Sequence, residues 1–154
     1  MTQQINTNRG NSSPKKKEDT TYIFVYGALR QGMGLNSILA TSKRHGTHKT
    51  LPKYTMYDLG AFPCIINKGN TSIIGDLYEV TEDIVAKLDI IEGVPNLYKR
   101  GLIELDYDNV FEVQAYFWSY QEDDDVRLLD SSYKVISGDW IEQRGLIEQE
   151  TDDE

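Results

Sequence analysis

The sequence predicts an α+β fold, and three observations carry that prediction. A run of apolar and aromatic residues at 22–25 ends at a glycine and passes into a short helical stretch. Two pairs of β-type runs, at 54–66 and 101–118, are each broken by turn residues. Between those pairs, residues 81–91 have the pattern of one amphipathic helix.

Tyr22, Ile23, Phe24 and Val25 show no alternation, which suits a central strand covered on both faces. Gly27 removes a side chain, so the backbone can turn sharply and approach a ligand. Ala28, Gln31, Gly32 and Gly34 are poor core formers, and Asn36 is a preferred helix cap beside Leu35, Ile38, Leu39 and Ala40. The unit reads as strand, glycine loop, short helix. Free N–H groups in such a loop can hold a carboxylate, a phosphate or a developing oxyanion. The loop lacks the Gly-Lys-Ser/Thr of a phosphate-binding loop and the three-glycine dinucleotide spacing, so a tight turn without a ligand fits these residues equally well.

In TSKRHGTHKT, His45 and His48 stand in an H-x-x-H spacing. Gly46 and Thr47 between them disfavour the helix that would aim both at one metal, and no acidic residue is nearby, so a surface loop is expected. Residues 54–59 and 61–66 read as strands separated by Gly60, with Lys68-Gly69-Asn70 as a hairpin turn into residues 71–80. Pro63 fits an edge or a bulge. Cys64, inside AFPCII with no cationic neighbour, reads as a packing residue.

Thr81 is the expected cap of the helix, and Glu82 and Asp83 suit its amino-terminal dipole. Ile84, Val85, Leu88 and Ile91 form one stripe for the core, and Gly93 with Pro95 ends the element. Glu92 falls at the carboxyl end, where unpaired carbonyls and apolar neighbours raise a carboxyl pKa, the tuning that an acid/base catalyst needs. An exposed glutamate before a glycine cap fits the same spacing, and Asp89 meets a similar field. Residues 102–105 alternate, turn at Asp108-Asn109, and return through FEVQAYFW as a hairpin with Tyr116 and Trp118 on one face and Ala115 and Phe117 on the other.

With 154 residues, 39% hydrophobic, the chain suits one domain at 21–146 between a flexible polar tail at 1–20 and an acidic tail at 147–154. A net charge of −9 disfavours a nucleic-acid partner. One cysteine, no apolar run of spanning length and no signal-peptide pattern lead to an expectation of a cytoplasmic protein with no membrane partner.

Four motifs occur in order: Tyr26-Gly27-Ala28-Leu29-Arg30; Leu88-Asp89-Ile90-Ile91-Glu92-Gly93 followed by Tyr98-Lys99-Arg100; Ala115-Tyr116-Phe117-Trp118; and Ser137-Gly138-Asp139-Trp140. Their joint spacing resembles the γ-glutamylcyclotransferase-like family over residues 22–140, nearest to its short bacterial and γ-glutamylamine branch. The resemblance implies a small mixed β-barrel surrounded by short helices. It implies conversion of a γ-glutamyl amine or amino acid to 5-oxoproline plus free amine, a small-molecule substrate, and a monomer or weak homodimer. It settles the choice between the two carboxylates: Glu92 becomes the acid/base, with Tyr26, Gly27, Ala28 and Leu29 as the substrate-binding loop. Tyr98 and Tyr116 are lining candidates, with core packing an equal alternative. No metal or other cofactor is implied. Ala28 departs from the usual Ser or Thr and removes a hydroxyl. That departure keeps open a catalytically weak binding or regulatory module using the same pocket, and hydrolysis without cyclisation is a third reading. Residues 43–53 and 121–130 are expected to shape the leaving-group side.

Overall fold

A computed structural model describes residues 20–108, 111–121 and 124–145. The expected tails at 1–20 and 147–154 lie outside them, apart from Thr20, as does the Asn109 half of the expected turn.

Strand β1 (Thr20–Val25) is the middle of a five-stranded sheet, ordered β2-β5-β1-β7-β6. Its neighbours are β5 (Ile74–Thr81), antiparallel, and β7 (Val113–Trp118), parallel. The outer strands are β2 (Lys43–Lys49), beside β5, and β6 (Tyr98–Leu102), beside β7. The unbroken apolar run of β1 follows from this central position. Ile23 and Val25 pack in one core with Ile84, Val85 and Leu88, while Phe24 packs in a second with Leu77 and Phe117.

The sheet is curled. The Leu51 N–H donates to Glu104 O at 3.0 Å and the Asp106 N–H donates to Lys49 O at 2.8 Å, around an isolated bridge between Thr50 and Leu105. The implied barrel nevertheless is not closed. Closure needs an unbroken ring of paired strands, whereas β3 (Tyr54–Asp58) and β4 (Pro63–Thr71) form a separate two-stranded sheet.

Three expectations about local structure are corrected. Residues 43–49 are the edge strand β2, with a register shift between Arg44 and Thr47. The β3–β4 turn lies at residues 59–62, where the N–H of Gly60 (φ 102°) donates to Asp58 Oδ1. Lys68-Gly69-Asn70 is an excursion within β4, because register jumps from Ile66 opposite Thr55 to Thr71 opposite Tyr54. The short helix at Asn36–Leu39 is a 3-10 turn whose cap position is Leu35; the Asn36 side chain instead donates to Leu29 O and Tyr78 Oη.

Helix α1 (Glu82–Ile91) follows β5 directly. Thr81 has the extended backbone of a cap but makes no side-chain cap bond. The stripe holds for Ile84, Val85 and Leu88, all buried, whereas Ile91 is 40% exposed. At the far end Gly93 takes φ +67°, its N–H donates to Ile90 O, and the Val94 N–H donates to Asp89 O, the paired bonds of a left-handed glycine cap. That cap fixes Glu92 at the helix terminus. The Val94–Pro95 bond that follows is cis. No helix among the described residues is long and apolar enough to cross a membrane.

Candidate active site

The end of β1, the β3–β4 turn, the end of α1 and the start of β6 converge on one cavity of about 310 Å³. Its lining includes every site residue expected from the sequence: Tyr26, Gly27, Ala28, Leu29, Glu92, Tyr98 and Tyr116. No described residue of 43–53 or 121–130 lines it, contrary to expectation. The opposite wall comes from Ala61, Phe62 and Pro63, with Leu35, Ile91 and Leu97 beside them.

Glu92 is partly buried and its carboxyl has no hydrogen-bond partner among the described residues. Burial raises its pKa from 4.5 to about 7, because low-dielectric surroundings disfavour the charged form. Asp89, one turn earlier, is committed elsewhere. Arg100 grips it through Nε to Oδ1 and Nη2 to Oδ2, both at 3.1 Å, and the Tyr116 hydroxyl donates to Oδ1 at 2.7 Å. The two carboxylates that looked alike in sequence therefore differ in state: one is an ion-pair anchor, the other faces the cavity unpaired.

The loop supplies donors opposite. The backbone N–H groups of Gly27, Ala28 and Leu29 have no acceptor among the described residues, while their segment is held by Arg30 N–H to Gly27 O (3.0 Å) and Leu35 N–H to Ala28 O (2.9 Å). The demand for glycine at 27 is one of space rather than of an unusual backbone angle. A Cβ there would lie 2.9 Å from Pro63 Cγ and 3.9 Å from Trp140 Cε3, so the loop touches the facing wall through its bare backbone.

Beneath the loop lies a charge cluster that sequence reading missed. Arg30 is buried, its Nη2 3.5 Å from Asp76 Oδ1 and its Nη1 3.2 Å from Asp139 Oδ1. Asp76, 1% exposed, also receives Arg44 Nη2 (3.2 Å), the Thr47 hydroxyl (3.1 Å) and the Gln31 N–H (2.8 Å). Asp139 Oδ1 accepts the Glu142 N–H at 3.1 Å at the start of the helical residues 140–145. The Ser-Gly-Asp-Trp motif thus ties the end of the described chain to the loop. A signal for Asp76 exists in the sequence: a carboxylate between Gly75 and Leu77 in the mostly apolar β5 must find a cation when buried.

Each of the three tyrosine hydroxyls gives its proton to the protein. Tyr26 donates to Tyr116 O (2.6 Å), Tyr98 to Pro63 O (2.7 Å) and Tyr116 to Asp89. Burial raises all three phenol pKa values, with the nearby Glu92 adding to the effect. They are neutral struts that brace the cavity wall through bonds to Tyr116 O, Pro63 O and Asp89. Cys64 lies in the core, where burial pushes its thiol up to about 12. His45 is 3.0 Å from Glu79, and His48 contacts His45 O and stacks on Tyr107. No group of three or more His, Cys, Asp or Glu side chains that could hold a metal occurs among the described residues.

Comparison with known proteins bears on the family and the fold. A Vibrio cholerae protein named "Putative gamma-glutamylcyclotransferase" is 37% identical over 121 residues, covering 79% of this chain and 96% of that protein. A Methanocaldococcus jannaschii protein bearing the same description is 34% identical over 126 residues, covering 80% and 98%. Among solved structures, an uncharacterised protein from Pyrococcus horikoshii aligns with TM-score 0.66 at 22% identity, covering 84% of this chain and 97% of that one. A mouse AIG2-like protein aligns with TM-score 0.58 at 22% identity, covering 68% and 82%. At such identity these two show the fold alone. The sequence model described as "Gamma-glutamyl cyclotransferase, AIG2-like" matches residues 23–142, and the chain belongs to that family.

Proposed function

We propose that this chain cyclises a γ-glutamyl amide to 5-oxoproline and releases the attached amine. The observation that carries this reading is the unpaired Glu92 carboxyl, with a pKa raised to about 7, in the same cavity as the free amides of residues 27–29. A group with that pKa is half ionised near neutrality and can both take and return a proton.

The loop amides hold the substrate's α-carboxylate, which leaves its α-amine free to reach the γ-carbonyl carbon. The reaction is intramolecular, so holding the extended glutamyl chain folded supplies much of the acceleration. Glu92 accepts a proton from the attacking amine as the new C–N bond forms. It returns that proton to the leaving nitrogen as the old C–N bond breaks. Atoms balance without water: the amide yields the lactam and a free amine. Ala28, in place of a Ser or Thr hydroxyl, leaves the backbone donors in place, so it weakens or retunes binding without removing the chemistry.

The test is mass-spectrometric detection of 5-oxoproline after incubation with a panel of γ-glutamyl amines and amino acids, with Glu92→Gln as control. Glu92-dependent 5-oxoproline is the expected result. Free glutamate in its place refutes cyclisation in favour of hydrolysis. Binding without turnover across the panel refutes catalysis in favour of a binding module.

A further inference from the structure

The segment at 124–130 does not line the cavity, yet a ladder of aromatic rings connects it to the cavity wall. Trp118 is the centre of that ladder. It is buried in β7, opposite Tyr98 of β6 in the strand register, and cross-strand partners put their side chains on one face of a sheet. The two rings meet edge to face with centroids 5.2 Å apart, and Phe62 from the β3–β4 turn lies 5.9 Å from Trp118 and 6.4 Å from Tyr98. All three separations fall in the range where aromatic rings attract. Phe62 and Tyr98 line the cavity, whereas Trp118 does not. Tyr120, half in solvent, closes the ladder at 5.3 Å from Trp118.

The indole is also held through its nitrogen. Trp118 Nε1 donates to Asp125 Oδ2 at 3.2 Å. That carboxylate, 11% exposed, takes Arg127 Nη2 (2.8 Å) on Oδ2, and Arg127 Nε (3.0 Å) and the Arg127 N–H (3.1 Å) on Oδ1. Asp125 caps the 3-10 turn Val126–Leu129, whose Leu128 is buried in the same core as Trp118 and Tyr98. The turn therefore fixes Asp125, Asp125 fixes the indole, and the indole fixes the two rings that face the cavity. Glu92 and the loop at 27–29 are fastened by other groups, the Asp89 pair and the Arg30 cluster. A change at Trp118 thus moves the wall that receives a ligand and leaves the proton carrier in place.

Resting on the cyclotransferase reading, we infer that Trp118 is a positioning residue for substrate binding and that Asp125 is the group that orients it. Through this pair the segment 125–129 governs how tightly the cavity grips a γ-glutamyl substrate that it never touches.

Three variants test this. Trp118→Leu removes the ring, Trp118→Phe keeps a ring without the N–H, and Asp125→Ala removes the acceptor. Each is assayed for 5-oxoproline with γ-glutamyl-alanine and with N-γ-glutamyl-propylamine, after circular dichroism has given the folded fraction. Trp118→Leu is expected to raise KM by about tenfold while kcat per folded molecule stays within about threefold, the pattern of lost binding rather than lost chemistry. Trp118→Phe is expected to recover most of that loss. Asp125→Ala is expected to raise KM about threefold alone and to leave it unchanged beside Trp118→Phe, because the bond it removes is already gone. Effects of Asp125→Ala that pass through Arg127 are common to both backgrounds and cancel, so this cycle decides the matter even where Trp118→Leu fails to fold. An unchanged KM in folded Trp118→Leu, or equal Asp125→Ala effects in the two backgrounds, overturns the inference and leaves the cyclotransferase reading standing. No 5-oxoproline from the wild-type protein, with the same pattern in calorimetric Kd, supports the positioning role and overturns the reaction. Binding of neither conjugate overturns both.

Discussion

Replacing Glu92 by glutamine is expected to make the protein more stable as it makes it inactive, and the gain is expected to depend on pH. In the folded protein the Glu92 pKa is raised from 4.5 to about 7, and desolvation is the cause. Between these values the unfolded chain has already lost the proton that the folded chain keeps, so the folded state binds more protons and stability falls as pH rises through the window. The complete effect is a shift of about 2.5 units at about 1.4 kcal/mol per unit, or about 3 kcal/mol, present in full only above the folded value. The isoelectric point near 4.7 makes work below pH 5 prone to precipitation, so pH 5.5 and 8.5 are the practical limits. Across that interval the linkage relation leaves about 2 kcal/mol of the effect. Urea unfolding of wild type and Glu92→Gln at both pH values gives a double difference in which the intrinsic cost of burying the glutamine amide cancels. The variant's advantage is expected to grow by about 2 kcal/mol from pH 5.5 to 8.5. Over the same range the wild-type kcat/KM is expected to rise along a limb with an apparent pKa near 7, absent from the variant. A double difference that stays flat within about 0.5 kcal/mol would refute the claim that burial holds this carboxyl protonated.

Three further outcomes follow from the geometry. Asp76→Asn removes the anion shared by Arg30 and Arg44 and is expected to cost about 3 kcal/mol by urea unfolding, with a loss below about 1 kcal/mol counting against the buried cluster. Gly27→Ala forces a Cβ to within 2.9 Å of Pro63 Cγ and is expected to cost about 1–3 kcal/mol and to raise KM more than it lowers kcat; an unchanged KM would detach the loop from substrate binding. Asp89→Asn breaks the Arg100 pair but spares the proton carrier, so turnover is expected to stay within about tenfold of wild type, and a loss as deep as that of Glu92→Gln would reverse the two roles.

What the sequence revealed depended on whether local pattern or tertiary pairing decides the structure. Strand β1 was readable because both of its faces are covered, which leaves no polar position in the run from Ile23 to Val25. Helix α1 was readable because its acidic first turn, apolar stripe and glycine stop agree. Strand β2 was not, since KRHGTHK has no apolar alternation and its single hydrogen-bonded strand neighbour is β5. Lys68-Gly69-Asn70 misled because an excursion within a strand and a hairpin turn call for the same residue types. The cavity was only half legible. The wall formed by residues 26–29, Glu92, Tyr98 and Tyr116 carries motifs, whereas its apolar wall is ordinary sequence, AFP, brought into place by the β3–β4 turn.

The same distinction accounts for the family motifs as a set. Two charge clusters flank the cavity, and each joins segments far apart in the chain. Arg30, Asp76 and Asp139 fasten the loop to β5 and to the helical residues 140–145. Asp89, Arg100 and Tyr116 fasten the end of α1 to β6 and β7. Several of the motif side chains are therefore fasteners that never reach the cavity as charges. Buried Arg30 and Asp76 would cost too much unless paired, while the partly exposed Asp89–Arg100 pair fixes its segments through two bonds and the Tyr116 hydroxyl. Glu92, three residues after Asp89, belongs to neither cluster. Its acidity follows from being left out: on the same helix, the paired carboxylate holds the frame while the unpaired one keeps a proton that it can give up near neutral pH.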